Sequence, residues 1–153
     1  MDLPSTNSTG KKRCDVCVLR GGIPYMVFPV KLTKSNYKQN KNNAWENLTG
    51  EVCHLKWANP HLLIIPINIF MDKTPYLSQK KVIRFETITY EDISNYHILK
   101  DRSLVYDTIT YIIQVEHHAP LNEVYTHIPT LLGFHPQTPF RTLSSILVEG
   151  DVV

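Results

Sequence analysis

Hydrophobic and polar residues alternate along several stretches of this chain, a pattern that predicts half-buried β-strands. Residues 25–33 alternate in this way, and four apolar side chains fall on one face: Met26, Phe28, Val30 and Leu32. Pro29 interrupts the stretch and has no backbone N–H to donate, so we expect an edge strand or a bulge there. Gly21 and Gly22 come just before this stretch, with no helical pattern after them, and indicate a turn.

Four further stretches extend the β pattern. They are residues 52–57, 62–70, 82–90 and 104–115. Alternation in the first of them predicts two faces, with Cys53, Leu55 and Trp57 on one and His54 and Lys56 on the other. The second stretch is apolar on both faces, as a central strand is, although Pro66 predicts a bulge or a bend within it. The last is the strongest, and its predicted shared face is Val105, Ile109, Tyr111, Ile113 and Val115.

Helical spacing begins only late in the chain. After Pro120, four apolar residues follow a helical period: Leu121, Val124, Tyr125 and Ile128. A second helix is predicted to start at Thr138, with Gly150 just past its end. Residues 34–44 have no apolar periodicity and predict a long polar loop. The pattern as a whole predicts an α+β fold, a predominantly β sheet or sandwich of about five to six strands with short C-terminal helices.

Length and composition narrow the class of protein. Residues 1–13 predict a flexible basic tail, and residues 14–153 are the right size for a single globular domain. Three cysteines are too few for a disulfide framework, which favours a reducing compartment. The longest apolar run, residues 62–71, has about half the length needed to cross a bilayer. We therefore expect an intracellular protein, cytoplasmic or nuclear, that is not secreted and has no membrane span.

Positive charge is concentrated in the first 43 residues, which hold eight cations against two carboxylates, a balance of +6. The other 110 residues hold eight cations and twelve carboxylates, a balance of −4. Such asymmetry indicates a nucleic acid or an acidic protein as partner. The predicted nucleic-acid-binding residues are Lys11, Lys12, Arg13, Arg20, Lys31, Lys34, Tyr37, Lys38 and Lys41, with Tyr37 available for base stacking. The alternative is a solvated lysine loop that keeps an edge strand soluble.

Cys14-x-x-Cys17 is the commonest half of a structural zinc site, because two thiolates at this spacing point toward one tetrahedral centre. The remaining ligands would come from Cys53 and His54. If these two neighbours lie in an alternating strand, they leave it on opposite faces and bind one ion only across a bulge or at a strand end. The predicted metal ligands are therefore Cys14, Cys17, Cys53 and His54, with zinc as the cofactor. The alternative is a set of reduced structural thiols.

Glu116, His117 and His118 come where the strongest predicted strand ends, and Ala119-Pro120-Leu121 follows them. Over these six residues the sequence resembles the core of the HNH (His-Me finger) nucleases. In that family one histidine activates water and others hold a divalent metal. The resemblance stops after six residues, and the alternative is that both histidines lie in a strand-to-helix turn.

No phosphate-binding loop, dinucleotide fingerprint or nucleophile elbow is present in the sequence. We therefore expect binding rather than catalysis: a small accessory protein whose basic N-terminal third contacts nucleic acid or an acidic protein. Two alternatives stay open, a metal-dependent HNH-like nuclease and a self-assembling structural protein. Small β-rich chains with few cysteines and a basic end are also typical of viral accessory, matrix and silencing-suppressor proteins. A homo-oligomer would fit pairing of the edge strand at residues 25–33 with a second copy.

Overall fold

The computed structural model describes residues 1–118, 124 and 127–136. The helix predicted after Pro120 lies largely outside these residues, and the one predicted at Thr138 lies entirely outside them. Within the described part, the prediction of an α+β, β-rich fold is confirmed. Its strands are β1 (Asp2–Pro4), β2 (Lys11–Arg13), β3 (Val16–Arg20), β4 (Ile23–Phe28), β5 (Val30–Thr33), β6 (Leu63–Ile64), β7 (Ile67–Met71), β8 (Lys73–Leu77), β9 (Ile83–Thr87), β10 (Ile109–Glu116) and β11 (Thr130–Phe134). Its helices are α1 (Tyr37–Ala58), a 3₁₀ turn (Ser94–His97) and α2 (Ile98–Asp101).

A four-stranded sheet in the order β11-β10-β7-β5 forms the centre of the fold. Strands β5, β7 and β10 are parallel to one another, and β11 joins β10 in the antiparallel direction. Parallel neighbours need a long crossover between them, and α1 supplies the crossover from β5 to β7. This topology therefore places α1 directly after the basic strand β5.

A second sheet has the order β3-β4-β6. The chain passes directly between the two sheets, from β4 to β5 and from β6 to β7. Gly21 and Gly22, both with positive φ, form the predicted turn between β3 and β4. Pro29 divides residues 25–33 into β4 and β5, and Pro66 divides residues 62–70 into β6 and β7. At each proline the chain thus leaves one sheet and enters the other. The single strands predicted at residues 25–33 and 62–70, with an edge or a bulge at Pro29 and a bulge or a bend at Pro66, are therefore each two strands.

Helix α1 is the largest difference from the sequence prediction. The strand predicted at residues 52–57 and the loop predicted at residues 34–44 are both wrong, because α1 covers most of these residues. Its buried side chains Leu48, Val52 and Leu55 follow the spacing of a helical face, which the short alternating pattern concealed. Trp57, assigned to a buried face by the alternation, is 66% exposed.

The first half of α1 is anchored in the core by aromatic contacts. The ring centroids of Tyr37 and Phe70 lie 5.3 Å apart in an edge-to-face arrangement. Phe70 contacts Tyr96 at 5.5 Å, and Trp45 contacts the same Tyr96 at 5.5 Å. These contacts fix where the helix begins relative to β7 and the 3₁₀ turn.

The N-terminal residues are ordered as a hairpin, which differs from the flexible tail expected for residues 1–13. Strands β1 and β2 pair antiparallel, with Leu3 opposite Lys12. Leu3 is only 1% exposed and belongs to the main hydrophobic cluster. Burial of Leu3, together with the hydrogen bond from the Asn59 side chain to the Pro4 carbonyl at 2.8 Å, holds this hairpin and its basic β2 strand against the body of the protein.

Candidate nucleic-acid interface

The basic residues predicted to contact nucleic acid are distributed over five parts of the fold. Lys11, Lys12 and Arg13 form β2, Arg20 ends β3, and Lys31 lies on β5. Lys34 lies in the connection from β5 to α1, and Lys38 and Lys41 lie on α1. The structure therefore replaces the loop predicted at residues 34–44 with a short connection and the start of a helix.

The first two turns of α1 after Tyr37 are exposed to solvent. Residues 38–44 read Lys-Gln-Asn-Lys-Asn-Asn-Ala, and all seven are exposed. Lys38 and Lys41 are three residues apart, so they lie on the same side of the helix. The segment contains no carboxylate, which leaves a helical surface of ammonium and amide groups.

The start of α1 is held by the β8–β9 hairpin. Asn36, in a left-handed conformation with φ 50°, donates its backbone N–H to the Pro75 carbonyl at 2.9 Å. Its side-chain oxygen accepts the N–H of Leu77 at 2.9 Å. The backbone N–H of Lys38 donates to the Glu86 carboxylate at 3.2 Å, a favourable position for a negative charge at a helix N-terminus. These contacts give the exposed turns a fixed orientation.

Tyr37 is not available for base stacking. Its side chain is 3% exposed, and its hydroxyl donates to the Asp92 carbonyl at 3.2 Å. Burial raises the pKa of Tyr37 to about 12, with smaller contributions from neighbouring Tyr96 and Asp92. The expected stacking role of Tyr37 is therefore wrong, because this ring belongs to the core that anchors α1.

An open groove runs beside the exposed turns of α1, between the end of β5 and the start of the helix. Its volume is about 360 Å³. Its lining residues are Leu32, Thr33, Lys34, Ser35, Asn36, Tyr37, Asn40 and Ala44. Leu32 is 58% exposed, so the groove offers an apolar surface next to the Lys34 ammonium. Such a surface suits a ligand that combines flat apolar groups with negative charge.

Acidic neighbours offset part of this positive charge. Partial burial would raise the pKa of Asp92, but hydrogen bonds from Thr89 and the nearby Lys38 and Lys41 together lower it. On the β1–β2 hairpin, the Arg13 guanidinium lies 3.5 Å from the Asp2 carboxylate. At the end of β3, Arg20 lies over the Tyr25 ring at 3.9 Å, a cation–π contact. Arg20 and Arg13 are thus engaged within the chain, whereas Lys38 and Lys41 are exposed on α1 and Lys34 is half-buried beside it.

Glu51 is a functional candidate that the sequence interpretation missed. It lies on α1 and forms ion pairs with both Lys12 on β2 and Lys31 on β5, the latter at 3.4 Å. Asp15 lines the same small cavity of about 50 Å³. The missed signal is the helical period of Leu48, Val52 and Leu55, which places Glu51 at the border of the buried face.

The four predicted zinc ligands lie on different elements. Cys14 follows β2, Cys17 is on β3, and Cys53 and His54 are on α1. Burial raises the pKa of the Cys14 thiol, and its Sγ lies 3.8 Å from the Lys12 carbonyl. Across the described residues, no group of three or more His, Cys, Asp or Glu side chains is placed to hold a metal ion. Zinc at Cys14 and Cys17 stays a prediction.

His117 and His118 follow β10 beside a cavity of about 380 Å³ that is lined by Lys73, Phe85, Val115, Glu116, His117, His118 and Leu132. His117 Nε2 lies 2.7 Å from the Lys73 carbonyl, so this nitrogen carries the proton that it donates. His118 Nε2 instead lies 2.5 Å from the Thr130 hydroxyl. The two side chains are therefore directed to different partners, and the HNH-like alternative stays a prediction because residues 119–123 lie outside the described part.

The edge strand predicted at residues 25–33 has two different environments. β4 lies inside its sheet, between β3 and β6, whereas β5 pairs only with β7 in the described part of the chain. Lys31 lies in the middle of this outer strand, as charged residues often do at sheet edges. Pairing with a second copy thus stays a prediction for β5 alone.

Comparison with family models, with curated proteins and with solved structures finds no match for this chain. Among the helices of the described residues, none is long and apolar enough to cross a membrane.

Proposed function

We propose that this protein binds nucleic acid through the surface formed by the end of β5 and the exposed first turns of α1. The observation that carries the proposal is the run of seven exposed residues, 38–44, which holds two lysines and no carboxylate on a rigidly anchored helix. Lys34, in the wall of the adjoining groove, extends this surface toward β5.

The chemistry of the surface favours contacts to the phosphate backbone. Lysine supplies a compact ammonium charge rather than the planar fork with which arginine recognises guanine edges. Residues three apart on a helix have their Cβ atoms about 5–6 Å apart, and the long lysine side chains add reach. Lys38 and Lys41 can therefore contact phosphates of the same backbone segment. We expect binding with little sequence preference.

The test is the salt dependence of binding, measured by fluorescence anisotropy with labelled duplex DNA and single-stranded RNA. In wild-type protein the affinity should fall steeply with salt. The triple variant Lys34→Glu, Lys38→Glu, Lys41→Glu removes three phosphate contacts. We expect its affinity at 0.1 M salt to fall by on the order of 100-fold or more and the duplex salt slope to lessen by about 2.7.

The matched control carries the same charge change elsewhere. Lys80, Lys81 and Arg84 are exposed residues of the β8–β9 hairpin, and their replacement by glutamate also changes the net charge by −6. The affinity of this control variant for nucleic acid should stay within about threefold of wild type if the α1 surface is the binding site. Equal losses in the two variants would show that only total charge matters. No detectable binding by wild-type protein at about 50 mM salt would refute the proposal and favour an acidic protein as partner.

A further inference from the structure

Two lysines of the basic N-terminal third share one carboxylate. Lys12 on β2 and Lys31 on β5 both contact the Glu51 carboxylate on α1. The Glu51 side chain is 12% exposed, whereas those of Lys12 and Lys31 are 37% and 48% exposed. The acid is therefore the shielded member of the group, and the two bases remain open to solvent.

Glu51 offsets one of the two ammonium charges, and Asp15 and Arg13 line the same cavity. The five charged side chains there, three cations and two carboxylates, leave a positive charge of about +1 on the group. The Asp15 Oδ2 accepts the backbone N–H of Val30 at 2.9 Å. That hydrogen bond is made within the chain and fixes the start of β5 next to the pair. Lys31 is three residues before Lys34, a distance of at most about 11 Å along the chain, so the pair adjoins the surface on α1.

We propose that Lys12 and Lys31 form a pair that binds a phosphodiester group. In the free protein the Glu51 carboxylate contacts both lysines in its place. This inference rests on the proposed function, because it assigns a further subsite to the same interface. On binding, a phosphate oxygen replaces the Glu51 carboxylate next to at least one of the two ammonium groups, so Glu51 keeps at most one lysine. The exchange changes no covalent bond.

The exchange has a measurable cost in affinity. The Glu51 carboxylate lowers by one unit the positive charge that an incoming phosphate meets at Lys12 and Lys31. Each cation that neutralises a DNA phosphate changes the logarithm of affinity by about 0.9 per tenfold change in salt. Removing the Glu51 charge should therefore raise the affinity for duplex DNA about eightfold at 0.1 M salt and steepen the salt slope by about 0.9.

The decisive variant is Glu51→Gln, which keeps the shape of the side chain and removes its charge. The matched control is Glu46→Gln, an exposed position on the same helix that changes the net charge of the protein by the same amount. We expect Glu51→Gln to gain about eightfold in affinity and Glu46→Gln to change by less than about twofold. Adding Lys12→Gln and Lys31→Gln to Glu51→Gln should abolish the gain, and urea unfolding confirms that each variant is folded.

Each outcome decides between the two proposals. A gain in Glu51→Gln alone supports the pair, and no gain, or equal gains in both glutamate variants, overturns it while the α1 interface stands. If wild-type protein does not bind nucleic acid but Glu51→Gln does, the function proposed for the native chain fails and the pair is supported. If neither binds, both proposals fail.

Discussion

Replacing Tyr37 distinguishes a ring that anchors α1 from a ring that stacks on bases. Tyr37→Leu removes the ring and keeps an apolar side chain, whereas Tyr37→Phe removes only the hydroxyl. The ring is 3% exposed and makes its edge-to-face contact with Phe70 at 5.3 Å. Both variants therefore perturb the core, and neither removes a group from the surface.

The expected magnitudes follow from the contacts that each variant loses. Tyr37→Leu loses buried volume and an aromatic pair, which together should lower the free energy of unfolding by roughly 2–4 kcal/mol. Tyr37→Phe keeps the ring and loses the 3.2 Å hydrogen bond to the Asp92 carbonyl, so we expect about 0.5–1.5 kcal/mol. The raised pKa of Tyr37, about 12, keeps the hydroxyl neutral at ordinary pH. The stability that the neutral Tyr37 hydroxyl contributes to the folded protein is lost only as pH rises from about 10 through 12.

Urea unfolding followed by far-UV circular dichroism measures the stability, and anisotropy on the folded variants measures nucleic-acid affinity. A core role predicts lower stability with affinity unchanged within about twofold. If Tyr37 stacked on bases, Tyr37→Leu would leave the free energy of unfolding unchanged and would weaken nucleic-acid binding by about 1–3 kcal/mol. That second pattern would refute the packing that we describe for the start of α1.

Two further predictions concern Asp92 and the cysteines. The pKa of Asp92 is lowered in the folded protein, so its ionised form stabilises the fold above the unfolded carboxyl pKa of about 3.9, and this stability is lost as pH falls through the folded pKa. Asp92→Asn should thus cost roughly 1 kcal/mol at pH 7 and little at pH 2 in urea unfolding; an equal cost at both pH values would contradict this. If zinc joins Cys14 and Cys17, elemental analysis of protein purified without chelator should find about one equivalent, and less than about half would count against the site.

The sequence predicted local breaks well because single residues cause them. Pro29 and Pro66 end strands through their missing N–H groups, and Gly21 and Gly22 permit the turn between β3 and β4. Helix α1 was missed because its exposed segment, residues 38–44, has no apolar periodicity, and six alternating residues in its second half also fit a strand. Its stability comes from tertiary burial, which a local pattern does not contain.

The lysine-rich character of the candidate interface was visible in the sequence, but its geometry was not. The contact between Lys12 and Glu51 joins residues 39 positions apart on elements that the pattern assigned wrongly or left unstructured. In β10, burial of Ile109, Ile112 and Val115 differs from the alternating face that was predicted. Long-range contacts of this kind depend on how strands and helices pack against one another, and the pattern of a single sequence does not specify that packing.

The placement of the two tryptophans gives the protein its own optical reporter. Trp45 directly follows the exposed segment 38–44 and lies 5.5 Å from the Tyr96 ring, close enough to receive excitation energy from tyrosine. Trp57, at the other end of the same helix, is 66% exposed and emits in a water-like environment. One intrinsic fluorophore thus lies at the junction of the core and the proposed interface, where its emission reports on both without an added label.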